Sequence, residues 1–209
     1  MLLTRTSRPL ALLLAAILTG GLPLAAQDHA GHAMDHGGMP ELKPIPAGAI
    51  HTAADVHFMQ GMIAHHGQAI HMSRLADTRS ADPRLIRFAQ KIDYSQATEI
   101  ALMEGWLADR DQVVPDSTAY RTITMPGMLT ADELRGLGEV TGTAFDRQFL
   151  VLMIRHHEGA LSMVADLFAT PRAGQDVDVN VFANEVHAVQ TAEIDVMRQM
   201  LANLQGESR

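Results

Sequence analysis

The chain has 209 residues and a mass of 22.7 kDa, enough for one sizeable hydrophobic core. It holds no Cys, so disulfide scaffolds, thiolate zinc sites and cysteine nucleophiles are excluded, and a soft metal must use its 13 Met or 11 His. Sixteen basic residues stand against 24 acidic ones, and the net charge of −8 argues against nucleic acid as a partner.

Arg5 and Arg8 precede an apolar run at residues 10–18, followed by Gly20, Gly21 and the small-residue site Leu24-Ala25-Ala26. This pattern predicts a signal peptide over residues 1–26 and a periplasmic or secreted product. The run is too short to cross a bilayer, and nothing later approaches ~18 apolar residues in a row, so the processed chain is expected to be soluble with no membrane span. Cleavage after Ala26 leaves 14 basic residues against 24 acidic ones, a net charge of −10.

Residues 27–39 read QDHAGHAMDHGGM, and Pro40, Pro44 and Pro46 follow. With no helical or strand period, residues 27–50 are expected to form a disordered His/Met-rich tail and a Pro-containing linker. His29, His32, Met34, His36 and Met39 are the candidate ligands there, because imidazole suits Cu(II) and thioether suits Cu(I). If Gln27 becomes the amino terminus, His29 is the third residue, where amine, amides and imidazole can enclose Cu(II) in a square plane; cyclisation of Gln27 would abolish that site. A plain solvated linker is the alternative.

An internal repeat organises the rest. Residues 52–72 and 143–163 match at an offset of 91 with ten of 21 positions identical, and residues 88–103 match residues 182–197 at an offset of 94. The first member of each pair opens with Thr-x-x-Asp, a capping-box-like start, and continues at three- and four-residue steps, which predicts a helix. The second members carry Phe88, Ile92, Ser95, Glu99, Leu102, Trp106 and Phe182, Val186, Val189, Glu193, Val196, Met200 at helical spacing. In chain order this predicts a helical hairpin over residues 51–110, with Asp82-Pro83 starting its second helix, then a crossover over 111–141. Thr130-x-x-Glu133 can start a short helix in that crossover, and a second hairpin follows over 142–205, broken near Pro171 and Gly174. The fold class is all-α, four long helices in two repeated hairpins.

At about 100° per residue, Asp55, Met62, His66 and Ala69 share a narrow arc with Phe58 beside them and His65 displaced around the helix, so His66 and its counterpart His157 are expected to point inward. Each His-His pair, His65-His66 and His156-His157, has Met three residues before its first His and Met six residues after its second. Met62, Met72, Met153 and Met163 thus join the four imidazoles as candidate ligands, although the spacing does not choose between the two His of a pair. Neutral thioether and imidazole together favour Cu(I) or Ag(I), whereas Mg or Ca would require oxygen-rich sites. Met103 and Met197 on the neighbouring helices either ligate or simply pack, and Met125 and Met128 are weaker candidates. Glu99 and Glu193 lie on inward stripes, where a carboxylate needs a partner; each can orient an imidazole from outside the ligand set, bind metal, or bond Gln96 or Gln190. Helix capping accounts for Asp55 and Asp146.

The pattern D-x-x-F-x-x-x-M-x-x-H-H-x-x-A-x-x-M, present at Asp55 to Met72 and again at Asp146 to Met163, together with Met125-Pro126-Gly127-Met128 and with Gln96, Glu99, Ile100 and Met103, resembles the domain of unknown function 305 family over about residues 51–204. That family includes CopM-like copper-binding proteins. The resemblance implies a ferritin-like four-helix bundle that binds copper, as Cu(I) and also Ag(I), through Met and His in an exported compartment, with no established catalysis. The chain departs from internal symmetry where Met59 becomes Leu150, His71 becomes Ser162 and Trp106 becomes Met200. The first half, which also carries His51 and His57, keeps more potential ligands, so the stronger interior site is expected toward the first helix.

The function expected from these readings is non-enzymatic: an exported protein that sequesters Cu(I) or hands it to another copper-handling protein, with Cu(II) in the tail. A ferritin-like di-metal oxidase would need Glu from two helices and Glu-x-x-His from the other two, and no His here has Glu three residues before it. His157-Glu158 also lacks the second His of a His-Glu-x-x-His protease site. A helical interaction module with a Met-rich docking surface is the third reading, and it predicts that the His pairs are dispensable.

Overall fold

Five α-helices and one 3-10 turn, with no strand among the described residues, make up this computed structural model, which describes residues 38–206. The signal-peptide region and the tail candidates His29, His32, Met34 and His36 lie outside the described residues.

Helix α1, Ala53–Arg79, starts at a capping box: the Asp55 amide donates to Thr52 Oγ1 at 3.3 Å and the Thr52 amide donates to Asp55 Oδ2 at 2.6 Å. Helix α2, Pro83–Asp109, starts with the Asp82 side chain accepting from the Arg84 amide and Pro in the first turn. The crossover then holds the 3-10 turn Ala119–Arg121 and helix α3, Ala131–Glu139, opened by the Thr130–Glu133 capping box. Helices α4, Gly142–Ala169, and α5, Val177–Gly206, form the second hairpin.

The start of α4 departs from its repeat partner. Only Val140 and Thr141 separate α3 from α4, and Gly142 takes φ +66°, a left-handed value that glycine adopts without strain. The helix therefore begins before Thr143, which is already inside it, and Thr141 makes no side-chain cap bond. Freed from capping, the Asp146 carboxylate accepts from the Ala81 amide in the α1–α2 loop, at 3.3 Å to each oxygen.

Within each hairpin the helices pack on one another, α1 on α2 and α4 on α5, and α1 faces α4 across the middle. Two apolar clusters mark the two ends of this face. One gathers Met62 and Ile63 of α1, Met103 and Trp106 of α2, Met163 and Leu167 of α4, and Phe182 of α5. The other gathers Met72 and Ala76, Leu85 and Ile92, Phe149 and Met153, and Ile194 and Met197. The early part of α1 thus lies beside the late part of α4 and the reverse, so the central helices are antiparallel and each end draws on both repeats. Because α1 touches α2, α3, α4 and the 3-10 turn, it is buried nearly all round between Asp55 and Ala76.

Residues 38–50, expected as unstructured linker, are held against the protein. Met39, Leu42 and Ile45, three residues apart, pack on the first cluster. The Lys43 amide donates to Gln112 Oε1 at 3.2 Å, Gln112 Nε2 donates back to the Lys43 carbonyl at 3.3 Å, and Lys43 Nζ pairs with Asp111 at 2.7 Å. Met39, placed among the tail ligands by sequence, has apolar neighbours instead.

Candidate metal centre

A polar layer separates the two apolar clusters. His65, His66, His156 and His157 are all fully buried in it. His66 Nε2 lies 2.6 Å from Glu99 Oε2, and His157 Nε2 lies 2.9 Å from Glu193 Oε2. Each carboxylate therefore accepts from the Nε2–H of the imidazole of its own hairpin, and Nδ1 of each ring is left without a hydrogen-bond partner. Lys91 approaches Glu193 at 3.5 Å, a partner with no counterpart at Glu99, whose side chain keeps 22% exposure.

The other two imidazoles meet at the centre. The rings of His65 and His156 lie 3.7 Å apart between centroids, tilted by 40°. His65 Nε2 donates to the Pro126 carbonyl at 3.1 Å, and neither nitrogen of His156 has a hydrogen-bond partner. Burial, followed by the neighbouring His66 and His157, pushes His65 down to about 3; burial and the same imidazole crowd hold His156 well below its ordinary value. Both are neutral at neutral pH. Nδ1 of His65, His66 and His157 also lacks a partner. Unpaired nitrogen lone pairs in a dry interior are costly unless they have a ligand to hold.

The expectation that His66 turns inward while His65 is displaced is thus corrected: every His of the two pairs is interior. A single inward stripe describes a helix packed on one side. In α1 and α4 the first His faces the opposite central helix and the second faces the partner within the hairpin.

Thioethers flank the layer in two equivalent groups. Met62, Met103 and Met163 belong to the first cluster, and their repeat counterparts Met153, Met197 and Met72 belong to the second. Each triad takes one Met from three different helices, and two members of each come from one repeat and the third from the other. The first cluster adds Met59 and Met125. Met125 reaches α1 because Gly61 leaves room: a Cβ there would stand 2.7 Å from Met125 Cε and 3.1 Å from its sulfur. The Met125 amide also donates to the Met128 sulfur at 3.2 Å.

The crossover seals this layer. Gln68 exchanges two hydrogen bonds with the Leu129 backbone at 3.0 and 2.6 Å, and Gln60 Nε2 donates to the Val113 carbonyl at 2.8 Å. A Cβ at Gly159 would come 2.0 Å from the Pro126 carbonyl oxygen, so this glycine allows the Pro126-Gly127 turn to rest on α4 above the histidines. Asp55 does more than cap, since its Oδ1 accepts from the Gly174 amide at 2.7 Å and ties the start of α1 to the α4–α5 loop.

Among the described residues, no group of three or more His, Asp or Glu is placed to hold a metal ion. The donors of the layer and its flanking clusters are imidazole nitrogens and buried sulfurs, a set that fits a soft monovalent ion. Met59 and the Pro126 carbonyl were not among the sequence candidates. Met59 was visible only as a departure from the repeat, and Pro126 only as part of a Met-Pro-Gly-Met segment.

The family model described as "Domain of unknown function (DUF305)" matches residues 55–201. The chain belongs to this family. It is 30% identical to a DUF305 fragment from Deinococcus radiodurans, with a TM-score of 0.64 over 73% of this chain and 98% of that one. To a DUF305 protein from Streptomyces coelicolor, assigned as secreted, it is 29% identical, with a TM-score of 0.63 over 73% and 94%. CopM in its Cu(I)-bound form is 28% identical, with a TM-score of 0.56 over 71% and 96%, and CopM has also been seen in Cu(II)-bound and Ag-bound forms. An uncharacterised protein of Acanthamoeba polyphaga mimivirus is 42% identical over 65 residues, a match that spans 30% of this chain and 43% of that relative.

Proposed function

We propose that this DUF305 protein is a non-enzymatic copper-binding protein that holds Cu(I), or Ag(I) in its place, between the buried histidine layer and the flanking thioethers, for sequestration or for transfer to another copper-handling protein. The observation that carries the reading is the set of five buried imidazole nitrogens without a hydrogen-bond partner, Nδ1 of His65, His66 and His157 and both nitrogens of His156, lying between two Met triads. CopM, 28% identical, binds Cu(I), Cu(II) and Ag and lends the reading its second support. Glu99 and Glu193 act by orienting imidazoles rather than by ligation, since each already accepts from one His. That pairing also disfavours a di-metal oxidase, which requires carboxylates that bridge metal ions.

In this reading the four long helices form a ferritin-like four-helix bundle of two hairpins, and the leader at residues 1–26 directs export. No helix among the described residues is long and apolar enough to cross a membrane. The tail residues His29, His32, Met34 and His36 serve as an outer capture site able to hold Cu(II).

The test is an anaerobic Cu(I) titration of the processed chain against a chromogenic chelator. It is repeated with His66→Ala/His157→Ala and with His29→Ala/His32→Ala/His36→Ala. Tight binding that the first pair abolishes and the tail variant keeps supports the interior centre. Binding that only the tail variant removes would make the helices a scaffold, and no competition by any form would sink the copper reading in favour of an interaction module.

A further inference from the structure

The two ends of the helical array come from one repeated unit, but their outer faces differ in charge. At the first end a groove of about 470 Å3 opens between α2 and α5. Met59 and Met103 lie at its base, 2% and 0% exposed, and Trp106 lines its side. Asp109, Asp178 and Glu185 stand exposed around it. Arg110 also lines the groove, stacked 4.2 Å over Trp106 and paired with Asp176 at 2.9 Å and with Asp178 at 3.7 Å, so one cation stands against three exposed carboxylates and the balance at the opening is negative.

The repeat offsets of 91 and 94 residues name the matching positions at the second end. Leu150 replaces Met59, Arg84 replaces Asp178, Lys91 replaces Glu185, Arg87 replaces Val181 and Asn203 replaces Asp109, while Asp195 replaces Ala101 and Leu204 replaces Arg110. The Met103 thioether is kept as Met197, whereas the two α5 carboxylates, Asp178 and Glu185, are exchanged for Arg84 and Lys91. Buried sulfur is thus present at both ends, and the first end offers it behind a cation-attracting opening.

We propose that the α2–α5 groove is the mouth through which a soft monovalent cation reaches the interior thioethers, and that loading runs through this end alone. The inference rests on the soft-metal reading above and adds the route. Three carboxylates around a low-dielectric groove raise the local cation concentration, and Met59 and Met103 then exchange for the ion's water ligands without any change of oxidation state. At the second end the matching positions hold Arg84, Arg87 and Lys91, and even with Arg84 paired to Asp82 at 2.9 Å and Lys91 to Glu193 at 3.5 Å they supply no comparable pull on the same ion.

Trp106 is the chain's single Trp and lines the groove, so it reports arrival there. The experiment mixes the processed full chain with Ag(I) in chloride-free buffer by stopped flow, follows Trp106 emission, and measures equilibrium affinity by competition. Asp178→Lys/Glu185→Lys is expected to slow association roughly tenfold at low ionic strength, with the difference shrinking as salt screens it. Asp132→Lys/Asp195→Lys makes the same charge change on exposed residues of the second end and is expected to load at nearly the rate of the unaltered chain. Met59→Leu, a volume-conserving change, is expected to slow loading at all salt concentrations. Equal rates for the rim variant and the unaltered chain, or equal slowing by the second-end variant, would overturn the route while tight equilibrium binding left the soft-metal reading standing. Absence of equilibrium binding by the unaltered chain would remove both.

Discussion

The end of the molecule around Met62 and the end around Met153 share a plan and differ in its surroundings. Both pair an imidazole with a carboxylate of the same hairpin, at 2.6 Å for His66–Glu99 and 2.9 Å for His157–Glu193, and both bury three thioethers. Only the first end adds Met59 and Met125, a Trp bonded through Nε1 to Asp176 at 3.1 Å, and an acidic groove. The difference teaches where duplication is constrained. A buried imidazole or carboxylate has few alternatives to the partner it already has, because leaving it alone in the interior is costly, whereas exposed positions change charge at little expense to stability.

The largest effect should come from the tie that each end makes to the opposite hairpin. Asp55→Ala removes a capping box and the bond to the Gly174 amide together, and is expected to cost about 3 kcal/mol in urea unfolding. Asp146→Ala removes only two longer bonds to Ala81 and should cost about 1–2 kcal/mol. Equal losses would mean that the capping box contributes nothing.

Metal affinity separates the ends next. Glu99→Gln and Glu193→Gln each leave an imidazole less firmly oriented, and a loss of about 10–100-fold in Cu(I) affinity is expected for Glu99. A smaller loss is expected for Glu193, since the second end has fewer sulfurs. The reverse ranking in a chelator competition would move the stronger site to α4.

Acid acts on the layer that the two ends share. His65 and His156 have folded-state values below the unfolded one, so the unfolded chain binds more protons once the pH drops below about 6.5. Their neutral burial stabilises the fold fully above that pH. The contribution falls away as the pH goes from about 6.5 toward the value of about 3 for His65, with a loss near 2 kcal/mol from His65 at pH 5. Glu133, held down to about 2 first by its bonds to Arg155, loses its contribution only below the ordinary carboxylate range, so it does not blur this window. Thermal unfolding at pH 7 and pH 5 checks the loss, and an unchanged midpoint would contradict neutral burial.

The smallest expected effect is a conversion. Leu150→Met gives the second end the sulfur that the first end has in Met59, at a stability cost below about 1.5 kcal/mol. It should raise Cu(I) affinity by less than about tenfold, and a larger gain would show that sulfur count alone separates the ends.

Much of this comparison was legible in the chain itself. The 91-residue offset revealed two hairpins, Thr52-x-x-Asp55 and Thr130-x-x-Glu133 marked real capping boxes, and the recurring His-His and Met positions picked out residues that the fold does bury. Capping and helical periodicity are local, acting over three or four residues, and a sequence displays them directly. The same logic misread Thr143-x-x-Asp146 as a capping box, where a tight turn at Gly142 overrides Thr143, and it assigned Met39 to a free tail although a cluster formed by residues far along the chain receives it.

Local signals along the chain thus set the helices, the duplication and the chemical softness of the donors. Which donors share a space follows from the packing of whole helices. Antiparallel packing of α1 against α4 set His65 against His156, drew Met163 beside Met62, and laid Pro126 across the histidines. These pairings join residues 61 to 101 positions apart, and their geometry follows from how whole helix faces fill a common interior rather than from any local preference of the chain.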